Sequence, residues 1–279
     1  MYRILVVGGG YLGQEIAASF VRKKQKVWAT TRRAERAEAF KKLGIEPLIL
    51  DLTKPQSLHE IPSVHFVVLC PAPDENDVKA YEDLYLQGIK NFLLAYQSRE
   101  RPFLMVYISS TGVWGKSVQG VVDEMILPMP DTEKSKILLA AEEQVLTSGY
   151  ATAILRLSGI YGPGRNWIHR IRENRLPQQI PDRYANMIHR DDVAEMMPQF
   201  FKNAQVGQVY VATDDEPILR SEFYFWLSEK MNFKFPENLF VKTEDVGKRC
   251  LNDKLRSLGI ELKYPTFREG YQSLLDENA

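Results

Sequence analysis

Several features that point to a special environment are scarce in this 279-residue sequence. It has two cysteines, Cys70 and Cys250, which are too few for a disulfide framework, and neither lies in a His/Cys cluster with metal-ligand spacing. Lys and Arg together number 36, as do Asp and Glu, so the overall charge favours neither nucleic acid nor a membrane surface. The sequence therefore predicts no disulfide framework, no metal site and no nucleic-acid partner.

Long apolar runs are also missing. No run approaches the roughly 20 residues that a membrane span needs. The apolar run at the N-terminus is short and leads directly into a glycine turn, which is not the pattern of a signal peptide. We therefore expect a cytoplasmic protein with no membrane partner.

The clearest positive signal lies at the N-terminus. The apolar run at residues 2–7 is followed at once by GGGYLG at residues 8–13. Residues 14–23 then show a helical apolar face, and residues 27–31 predict a second strand. A G-x-G-x-x-G motif between a strand and a helix, with a second strand after it, predicts dinucleotide binding.

Each glycine of this motif has its own expected role. Gly8 allows the tight turn at the end of the strand, and Gly10 lets the backbone approach a pyrophosphate closely. Gly13 allows the helix to pack near the sheet. The free N–H groups and the positive dipole end of the helix would then face the phosphates.

The end of the second predicted strand indicates which dinucleotide binds. Its residues are Thr30, Thr31, Arg32 and Arg33, and the first carboxylate after them is Glu35. A cofactor without a 2′-phosphate usually meets Asp or Glu here, whereas Arg accommodates the phosphate of NADP. We therefore expect NADP rather than NAD, bound by Thr31 and Arg32. Arg33 is equally consistent with a solvated side chain.

Strands and helices alternate along most of the chain. Further strands are predicted at residues 45–50, 64–70, 102–108 and 151–157, and helices at residues 34–43, 74–97 and 131–146. This alternation predicts an α/β fold with a doubly wound parallel sheet and helices on both faces. Beyond residue 157 the pattern loosens, although a strand and helix are expected over residues 187–202 and a strand at residues 209–212.

Residues that follow the strands are candidates for ligand contact, because ligands of open α/β sheets lie outside the carboxyl ends of the strands. Asp51, followed by Leu52, suits the edge of an adenine and is equally consistent with a helix N-cap. Cys70, Pro71 and Ala72 are candidates for backbone contact with a ribose.

A cluster of hydroxyl groups follows the fifth predicted strand. Ser109, Ser110 and Thr111 lie beside the expected nicotinamide position and could hydrogen-bond a cofactor or substrate oxygen. The alternative is an ordinary loop capped by hydroxyl groups.

Four segments occur in the order typical of one family. They are GGGYLG at residues 8–13, ISSTGVWG at 108–115, RLSGIYGPG at 156–164 and IHRDDVA at 188–194. Together they resemble the short-chain dehydrogenase/reductase superfamily on its extended side, the NAD-dependent epimerase/dehydratase group. The chain is similar to the YeeZ-like group within it, and the resemblance covers almost the whole sequence.

The resemblance implies a Rossmann-type domain over residues 1–160 and a smaller C-terminal α/β substrate lobe over residues 161–279. Residues 186–212 would return to the Rossmann domain. It also implies a small-molecule substrate bound in the lobe. In relatives, the helices corresponding to those predicted from residues 74 and 131 pair in a homodimer.

The family's site residues fall on matching positions of this sequence. The pyrophosphate loop corresponds to Gly8, Gly10, Tyr11, Leu12 and Gly13, the specificity position to Arg32, the catalytic Ser/Thr to Ser110, and the nicotinamide border to Ser158, Gly159 and Ile160.

One part of the family pattern is missing. The family's proton donor is the Tyr of a Tyr-x-x-x-Lys motif, with a Glu commonly four residues after the Lys. Aligning Glu142 with that Glu places Lys134 at the Tyr position and Leu138 at the Lys position. No tyrosine occurs between Tyr107 and Tyr150, so the usual dyad is absent.

Other groups must therefore be considered as proton donors. The candidates are Lys134, Ser110 with Thr111, Tyr161, and water. For Lys134 a solvated helix residue is the favoured interpretation, and for Tyr161 loop packing. His189 has suitable chemistry, but its place in the motif favours an anchor at the strand-to-helix junction.

These observations predict an NADP(H)-binding oxidoreductase or epimerase/dehydratase-like enzyme that acts on a small polar substrate. Arg165, Arg170, Arg172 and Arg175 suit an anionic substrate, such as a carboxylate or a nucleotide-sugar phosphate. The alternative is a non-catalytic NADP(H)-binding sensor or scaffold that has lost the dyad.

Overall fold

Seven parallel strands form the central sheet of the computed structural model, which describes residues 1–173, 175–236 and 238–277. In chain order they are β1 (Arg3–Val7), β2 (Lys26–Thr31), β3 (Glu46–Ile49), β4 (Phe66–Leu69), β5 (Leu104–Ser110), β6 (Thr152–Leu157) and β7 (Val209–Ala212). Their order across the sheet is β7-β6-β5-β4-β1-β2-β3, and each neighbouring pair is parallel. The predicted doubly wound Rossmann-type sheet is confirmed.

Helices lie between and beyond these strands. They are α1 (Tyr11–Arg22), α2 (Ala34–Lys42), α3 (Val78–Tyr81), α4 (Ile89–Tyr96), α5 (Glu133–Leu146), α6 (Trp167–Arg172), α7 (Arg190–Asn203), α8 (Arg220–Met231), α9 (Asp253–Arg256) and α10 (Phe267–Asp276). A π-helical segment, Glu82–Gly88, joins α3 to α4, and 3-10 turns occur at Pro55–Glu60 and Thr111–Trp114. Of the helices in the described ranges, none is long and apolar enough to cross a bilayer.

Successive side chains of each strand point to opposite faces of the sheet, and apolar residues occupy both faces. In β1, Ile4 and Val6 join one apolar cluster, whereas Leu5 and Val7 join the other. The first cluster includes residues of α1 and α7, and the second includes residues of α4 and α5. Helices therefore bury both faces of the sheet.

A third apolar cluster forms the core of a smaller lobe beside the sheet. It draws on α6, α8 and α10 and includes the buried rings of Phe223, Tyr224, Phe267 and Tyr271. Short strands complete the lobe region, paired as Gly159–Tyr161 with Met187–His189, Ile180–Pro181 with Phe240–Val241, Tyr184–Ala185 with Ile218–Leu219, and Gly120–Val122 with Lys248–Cys250. Between parts of the lobe, the chain returns to the sheet as β7, which pairs with β6.

The helix predicted from residue 74 begins later, at Val78, and contains the π-helical segment. Asp77 sets this start, because its side chain accepts a hydrogen bond from the N–H of Ala80 (2.8 Å). The residues before it have other partners: Asp74 pairs with Arg32, and Asn76 accepts hydrogen bonds from Lys134. The second half of the loop between β4 and α3 is thus held by side-chain contacts at Asp74 and Asn76.

His189 anchors the start of α7. Its Nδ1 accepts a hydrogen bond from the N–H of Asp191 (3.2 Å), and its ring packs against Tyr161 and Tyr264 at centroid distances of 5.1 and 4.2 Å. The ring is buried, and burial lowers the pKa of His189 to about 4. This placement matches the predicted anchor at the strand-to-helix junction.

We expect His189 to make the fold less stable as the pH falls from about 6.5 to about 4, because the unfolded chain then binds a proton that the folded protein does not. The loss of unfolding free energy from this residue reaches about 3 kcal/mol. His189→Asn keeps an N-cap acceptor without a titrating ring, so urea unfolding at pH 7.0 and 4.5 should show a smaller loss in this variant.

Asp192 has the opposite effect on the pH dependence of stability, because burial raises its pKa to about 6. Wild type and His189→Asn both contain Asp192, so its effect cancels in the comparison. An equal pH dependence in wild type and His189→Asn would contradict the role of His189.

Candidate functional site

The glycine turn between β1 and α1 is built from backbone contacts that leave no room for side chains. A Cβ on Gly8 would lie 2.3 Å from the carbonyl oxygen of Cys70, and a Cβ on Gly13 would lie 2.0 Å from that of Gly8. Gly8 also has a φ of 102°, in the region that favours glycine. Its N–H donates to the Thr30 hydroxyl (2.8 Å). The turn is therefore fixed against both β2 and the end of β4.

Gly10 differs from these two glycines, because nothing lies within 4 Å of the Cβ that it lacks. It is the N-cap residue of α1, and no side chain caps the helix there. The first N–H groups of a helix and its positive dipole end attract phosphate groups. The space beside Gly10 therefore fits the pyrophosphate of a dinucleotide.

Three neighbouring clefts share lining residues, and the first two lie at the carboxyl ends of the strands. The glycine cleft is lined mainly by residues 8–10, 30–33, 50–52 and 71–72. The central cleft, of about 390 Å³, is lined mainly by residues 10–13, 70–72, 108–111 and 157–160. The lobe cleft, of about 810 Å³, lies among residues 177–187, α8 and the loop after β5. Gly10 borders the first two clefts and Thr111 the last two.

The structure brings the expected cofactor-site residues together along this groove. Those in the wall of the glycine cleft are Gly8, Gly10, Thr31, Arg32, Arg33, Asp51, Leu52, Pro71 and Ala72. Those in the wall of the central cleft are Gly10, Tyr11, Leu12, Gly13, Cys70, Pro71, Ala72, Ser109, Ser158, Gly159 and Ile160. The first two clefts can thus hold the two halves of one dinucleotide.

Three arginines surround the glycine cleft. Arg32 pairs with Asp74 (2.7 Å), and Arg33 approaches the same carboxylate at 3.6 Å. Arg36, which the sequence analysis did not single out, donates to the carbonyl oxygen of Gly9 (3.4 Å). Arg36 follows Arg33 by three residues, and this spacing predicts that the two side chains lie on the same side of α2. The cleft therefore has an excess of positive charge.

Asp51 lines the glycine cleft and also caps a turn. Its Oδ1 accepts hydrogen bonds from the N–H (3.0 Å) and hydroxyl (2.8 Å) of Thr53. The structure thus shows the capping contact, and the cleft wall includes the residue as well.

The hydroxyl groups after β5 face the central cleft. Ser110 Oγ accepts a hydrogen bond from the N–H of Gly112 (3.0 Å), which leaves its own proton available to a ligand. Thr111 begins the 3-10 turn and borders both the central and the lobe clefts. Ser109 instead donates to Glu142 (2.6 Å).

Glu142 and Arg156 form a buried ion pair behind these hydroxyl groups. Arg156 Nη2 lies 2.7 Å from Glu142 Oε2, and Arg156 Nε lies 3.0 Å from Oε1. The Arg156 guanidinium also lies 4.7 Å from the ring centroid of Trp114. The pair joins α5 to β6 and, through Ser109, to the end of β5.

Basic side chains line the lobe cleft, whose wall among the described residues contains no carboxylate: they are Lys116, Arg183, Arg220 and Lys248. Arg183 pairs with Asp245 (2.6 Å), and Lys248 donates to the carbonyl oxygen of Gly115 (2.9 Å). Burial lowers the pKa of Lys248. Trp167, Phe223 and Tyr224 add an aromatic wall.

The four arginines expected to meet an anionic substrate are more dispersed. Arg165 lines the central cleft, 5.7 Å from the ring centroid of Tyr11. Arg170 lies over Trp167 (4.7 Å), and Arg175 pairs with Glu173. The basic residues of the lobe cleft come from other segments, which the local charge pattern did not indicate.

Comparison with known proteins agrees with this arrangement. The model of the NAD dependent epimerase/dehydratase family matches residues 4–212, which is more than half of the chain. This chain belongs to the NAD-dependent epimerase/dehydratase family. The predicted family resemblance is confirmed.

Relatives of this epimerase/dehydratase-family chain match it over nearly its full length. Protein YeeZ of Escherichia coli (strain K12) is 24% identical over 276 residues, covering 95% of this chain and 97% of YeeZ. A provisionally named NAD-dependent epimerase/dehydratase from Methylobacillus flagellatus is 30% identical, with a TM-score of 0.83 and coverage of 99% and 98%. UDP-glucose 4-epimerase from Thermus thermophilus, in complex with NAD, shares the fold at 19% identity, with a TM-score of 0.77 and 96% of each chain covered.

The positions of the missing dyad lie at the start of α5. Leu138 lines the central cleft, where the family pattern has Lys. Lys134, at the Tyr position, donates from Nζ to the backbone oxygen and to Oδ1 (2.8 Å) of Asn76. Its ammonium also lies 5.1 Å from the ring centroid of Tyr81.

Tyr161, another candidate proton donor, is not brought to the groove. Its ring stacks on Tyr271 at 4.8 Å and packs against His189. Its hydroxyl is buried without a hydrogen-bond partner among the described residues and lies against Gly270. The geometry thus gives Tyr161 a packing place, and burial raises its pKa far above the ordinary value.

Two tyrosines that the sequence analysis did not single out complete the central cleft. Tyr81 ends α3 and Tyr85 lies in the π-helical segment, and both residues line the same cleft as Ser110. Their spacing of four residues near the start of a helix that follows a strand end is the signal that could have found them.

The two glycines at the start of α1 should respond differently to an added methyl group. Gly10→Ala should change the unfolding free energy by about 1 kcal/mol or less, since only the N-cap preference changes, yet weaken dinucleotide binding at least about tenfold. Gly13→Ala should destabilise the fold by several kcal/mol, of the order seen for severe overpacking, because its Cβ meets backbone. Urea unfolding and NADPH fluorescence titration measure both effects, and normal NADPH binding by Gly10→Ala would contradict the placement of the pyrophosphate.

Arg156→Met should cost about 3–5 kcal/mol of unfolding free energy, because Glu142 would remain buried without its partner. The double variant Glu142→Leu with Arg156→Met removes both charges and should lose less than Arg156→Met alone. Urea unfolding of the single and double variants tests this, and additive losses would show that the pair is not coupled.

Proposed function

We propose that this protein binds NADP(H) along the glycine and central clefts and acts as an oxidoreductase or epimerase/dehydratase-like enzyme on a small anionic substrate in the lobe cleft. The observation that carries the cofactor preference is the positive rim of the glycine cleft. Arg32 and Arg33 stand where a carboxylate would meet the free ribose hydroxyl of NAD. Guanidinium groups instead favour a 2′-phosphate.

The residues of the groove have distinct roles in this proposal. The N–H groups after Gly10 hold the pyrophosphate, and the backbone at Pro71 and Ala72 borders the ribose groups. The segment from Ser158 to Ile160 borders the nicotinamide. When bound, the nicotinamide would donate or accept a hydride, that is, two electrons with one hydrogen. The protein would orient the nicotinamide and supply or remove the proton. Ser110 holds the substrate oxygen through its free hydroxyl proton.

The lobe cleft supports an anionic substrate with a flat apolar part. Lys116 has no ion-pair partner among the described residues, and Arg183 Nε is buried without a hydrogen-bond partner there. A phosphate or carboxylate would neutralise Lys116 and add an acceptor beside Arg183, whose charge is already paired with Asp245. The aromatic wall suits a planar ring. A nucleotide-sugar combines both features, and UDP-glucose 4-epimerase is among the proteins that share this fold.

A non-catalytic NADP(H)-binding sensor is the second candidate function. It is favoured by Leu138, which places an apolar side chain in the central cleft at the position of the family's lysine. Turnover separates the two functions, because a sensor would bind NADPH and consume none with any aldehyde, ketone or nucleotide-sugar supplied.

The cofactor proposal is tested by fluorescence titration with NADPH and NADH. Arg32→Ala should weaken NADPH binding about 10- to 100-fold, the value of one or two charge-assisted hydrogen bonds, and leave NADH binding nearly unchanged. Lys42→Ala, on α2 outside the clefts, is the matched control and should change neither affinity.

Asp74→Asn distinguishes two roles of the carboxylate beside Arg32. If Asp74 competes with the 2′-phosphate, the variant should bind NADPH a few-fold more tightly, as expected for an exposed ion pair. Weaker NADH binding by Asp74→Asn, with no effect of Arg32→Ala on NADPH, would instead indicate a site built for NAD.

A further inference from the structure

Besides Tyr11, the wall of the central cleft carries two phenol groups, those of Tyr81 and Tyr85, from outside the helix that holds the usual dyad position. Neither the Tyr81 nor the Tyr85 hydroxyl makes a hydrogen bond to another described residue, and neither is among the fully buried polar atoms without a partner. Their rings meet edge to face at a centroid distance of 5.2 Å. The cleft thus contains phenol O–H donors that the fold itself leaves unused.

The local fold aims both side chains at the cleft. Asp77 caps α3 and fixes where the helix starts. Tyr81 and Tyr85 lie four residues apart across the junction of α3 and the π-helical segment, a spacing that keeps two side chains near one face of a helix. Tyr81 and Tyr85 therefore share one face of this helix, and π segments occur frequently at functional sites.

Lys134 connects this helix to the dyad position on α5. Its Nζ donates to both the backbone oxygen and Oδ1 of Asn76, immediately before the Asp77 cap. The same ammonium lies over the Tyr81 ring, 5.1 Å from its centroid. The phenol of Tyr81 consequently lies beside the place from which a tyrosine on α5 would reach the cleft.

We propose that Tyr81 is the catalytic proton donor and acceptor of this protein, and that Lys134 is its positioning residue. In the reducing direction, a carbonyl substrate receives two electrons and one hydrogen at carbon from the reduced nicotinamide cofactor. The carbonyl π pair moves to oxygen, the Tyr81 O–H bond breaks, and the new O–H bond forms on the product alcohol. The tyrosinate then recovers its proton from water. This assignment rests on the proposed NADP(H) function.

The charge of Lys134 suits this role. Negative charge develops on the Tyr81 oxygen as its proton leaves, and a nearby ammonium stabilises that charge. The ammonium itself is less suited as the donor, because Asn76 already accepts two of its hydrogen bonds. Lys134 thus supplies charge and position without giving up a proton.

Other groups in the cleft are poorer proton donors. Burial, and after it the neighbouring Tyr81 and Cys70, raise the pKa of Tyr85 far above its ordinary value. Ser110 can hold a substrate oxygen, but no histidine, aspartate or glutamate lines the described part of the cleft to activate its hydroxyl. Tyr11 also lines the cleft, but its hydroxyl is fully buried and burial raises its pKa. Tyr81 is therefore the phenol that the geometry selects.

Chemical nitration tests the placement without any substrate. Tetranitromethane nitrates accessible tyrosinates, and mass spectrometry of peptides locates the product. Tyr81 should be nitrated in the free protein, protected at least about fivefold by saturating NADP⁺, and nitrated more slowly in Lys134→Met. Tyr2, which is 52% exposed and distant from the groove, is the control and should be nitrated equally with and without NADP⁺. Nitration of Tyr81 that NADP⁺ does not affect would overturn the assignment.

Kinetics test the proton transfer. Tyr81→Phe removes a hydroxyl that has no partner in the described part of the fold, so NADPH affinity and stability should stay within about twofold and 0.5 kcal/mol of wild type. NADPH consumption with a panel of aldehydes, ketones and UDP- or dTDP-hexoses should lose at least about 100-fold in kcat. Tyr85→Phe is the matched control and should lose less than about tenfold.

The pH profile separates the role of Lys134 from simple packing. In Lys134→Met, the midpoint of the pH dependence of kcat should shift to higher pH. Lys134→Arg, which keeps the positive charge, should restore most of the wild-type midpoint. A wild-type kcat that survives Tyr81→Phe would overturn this inference alone. Wild-type protein that fails to bind NADPH, or binds it without consuming it, would reject the proposed enzyme and this inference with it.

Discussion

The backbone contact between the glycine turn and the end of β4 is the constraint on which the site depends. Gly8 touches the backbone of Cys70, and Gly13 touches the backbone of Gly8, so strand, turn and helix meet without any side chain between them. This approach aims the start of α1 along the carboxyl edge of the sheet. It also leaves Gly10 beside open space, where the glycine and central clefts join. Backbone contacts alone thus set the position of the groove.

Charged, polar and aromatic side chains occupy different parts of this groove. Arginines gather at the end of β2, hydroxyl and phenol groups line the middle, and lysine and arginine return beside the aromatic wall of the lobe. The carboxylates close to the groove are engaged: Asp74 pairs with Arg32, Asp245 with Arg183, and Glu142 with Arg156. A ligand with negative charge at both ends and a less polar centre matches this order.

The sheet could be predicted from the sequence because its central strands are buried on both faces and most strands are separated by helices of ordinary amphipathic pattern, although the edge strand β3 is largely exposed. The glycine turn could be placed because its geometry requires glycine at Gly8 and Gly13. The spacing of Tyr81 and Tyr85 places them on one helix face, but the sequence did not indicate that this face meets the central cleft, because no local pattern predicts the π-helical segment. The basic wall of the lobe cleft was equally hidden, since Lys116, Arg183 and Lys248 come from segments that meet only in the folded chain.

The buried pair of Glu142 and Arg156 has a consequence for how this sequence can change over evolutionary time. A substitution at either position leaves a charge in the interior, so an intermediate with one change is penalised even when the sequence with both changes would fold well. The two positions are therefore expected to drift together or not at all. Because Ser109 donates a hydrogen bond to the same carboxylate, the end of β5 is subject to the same restraint.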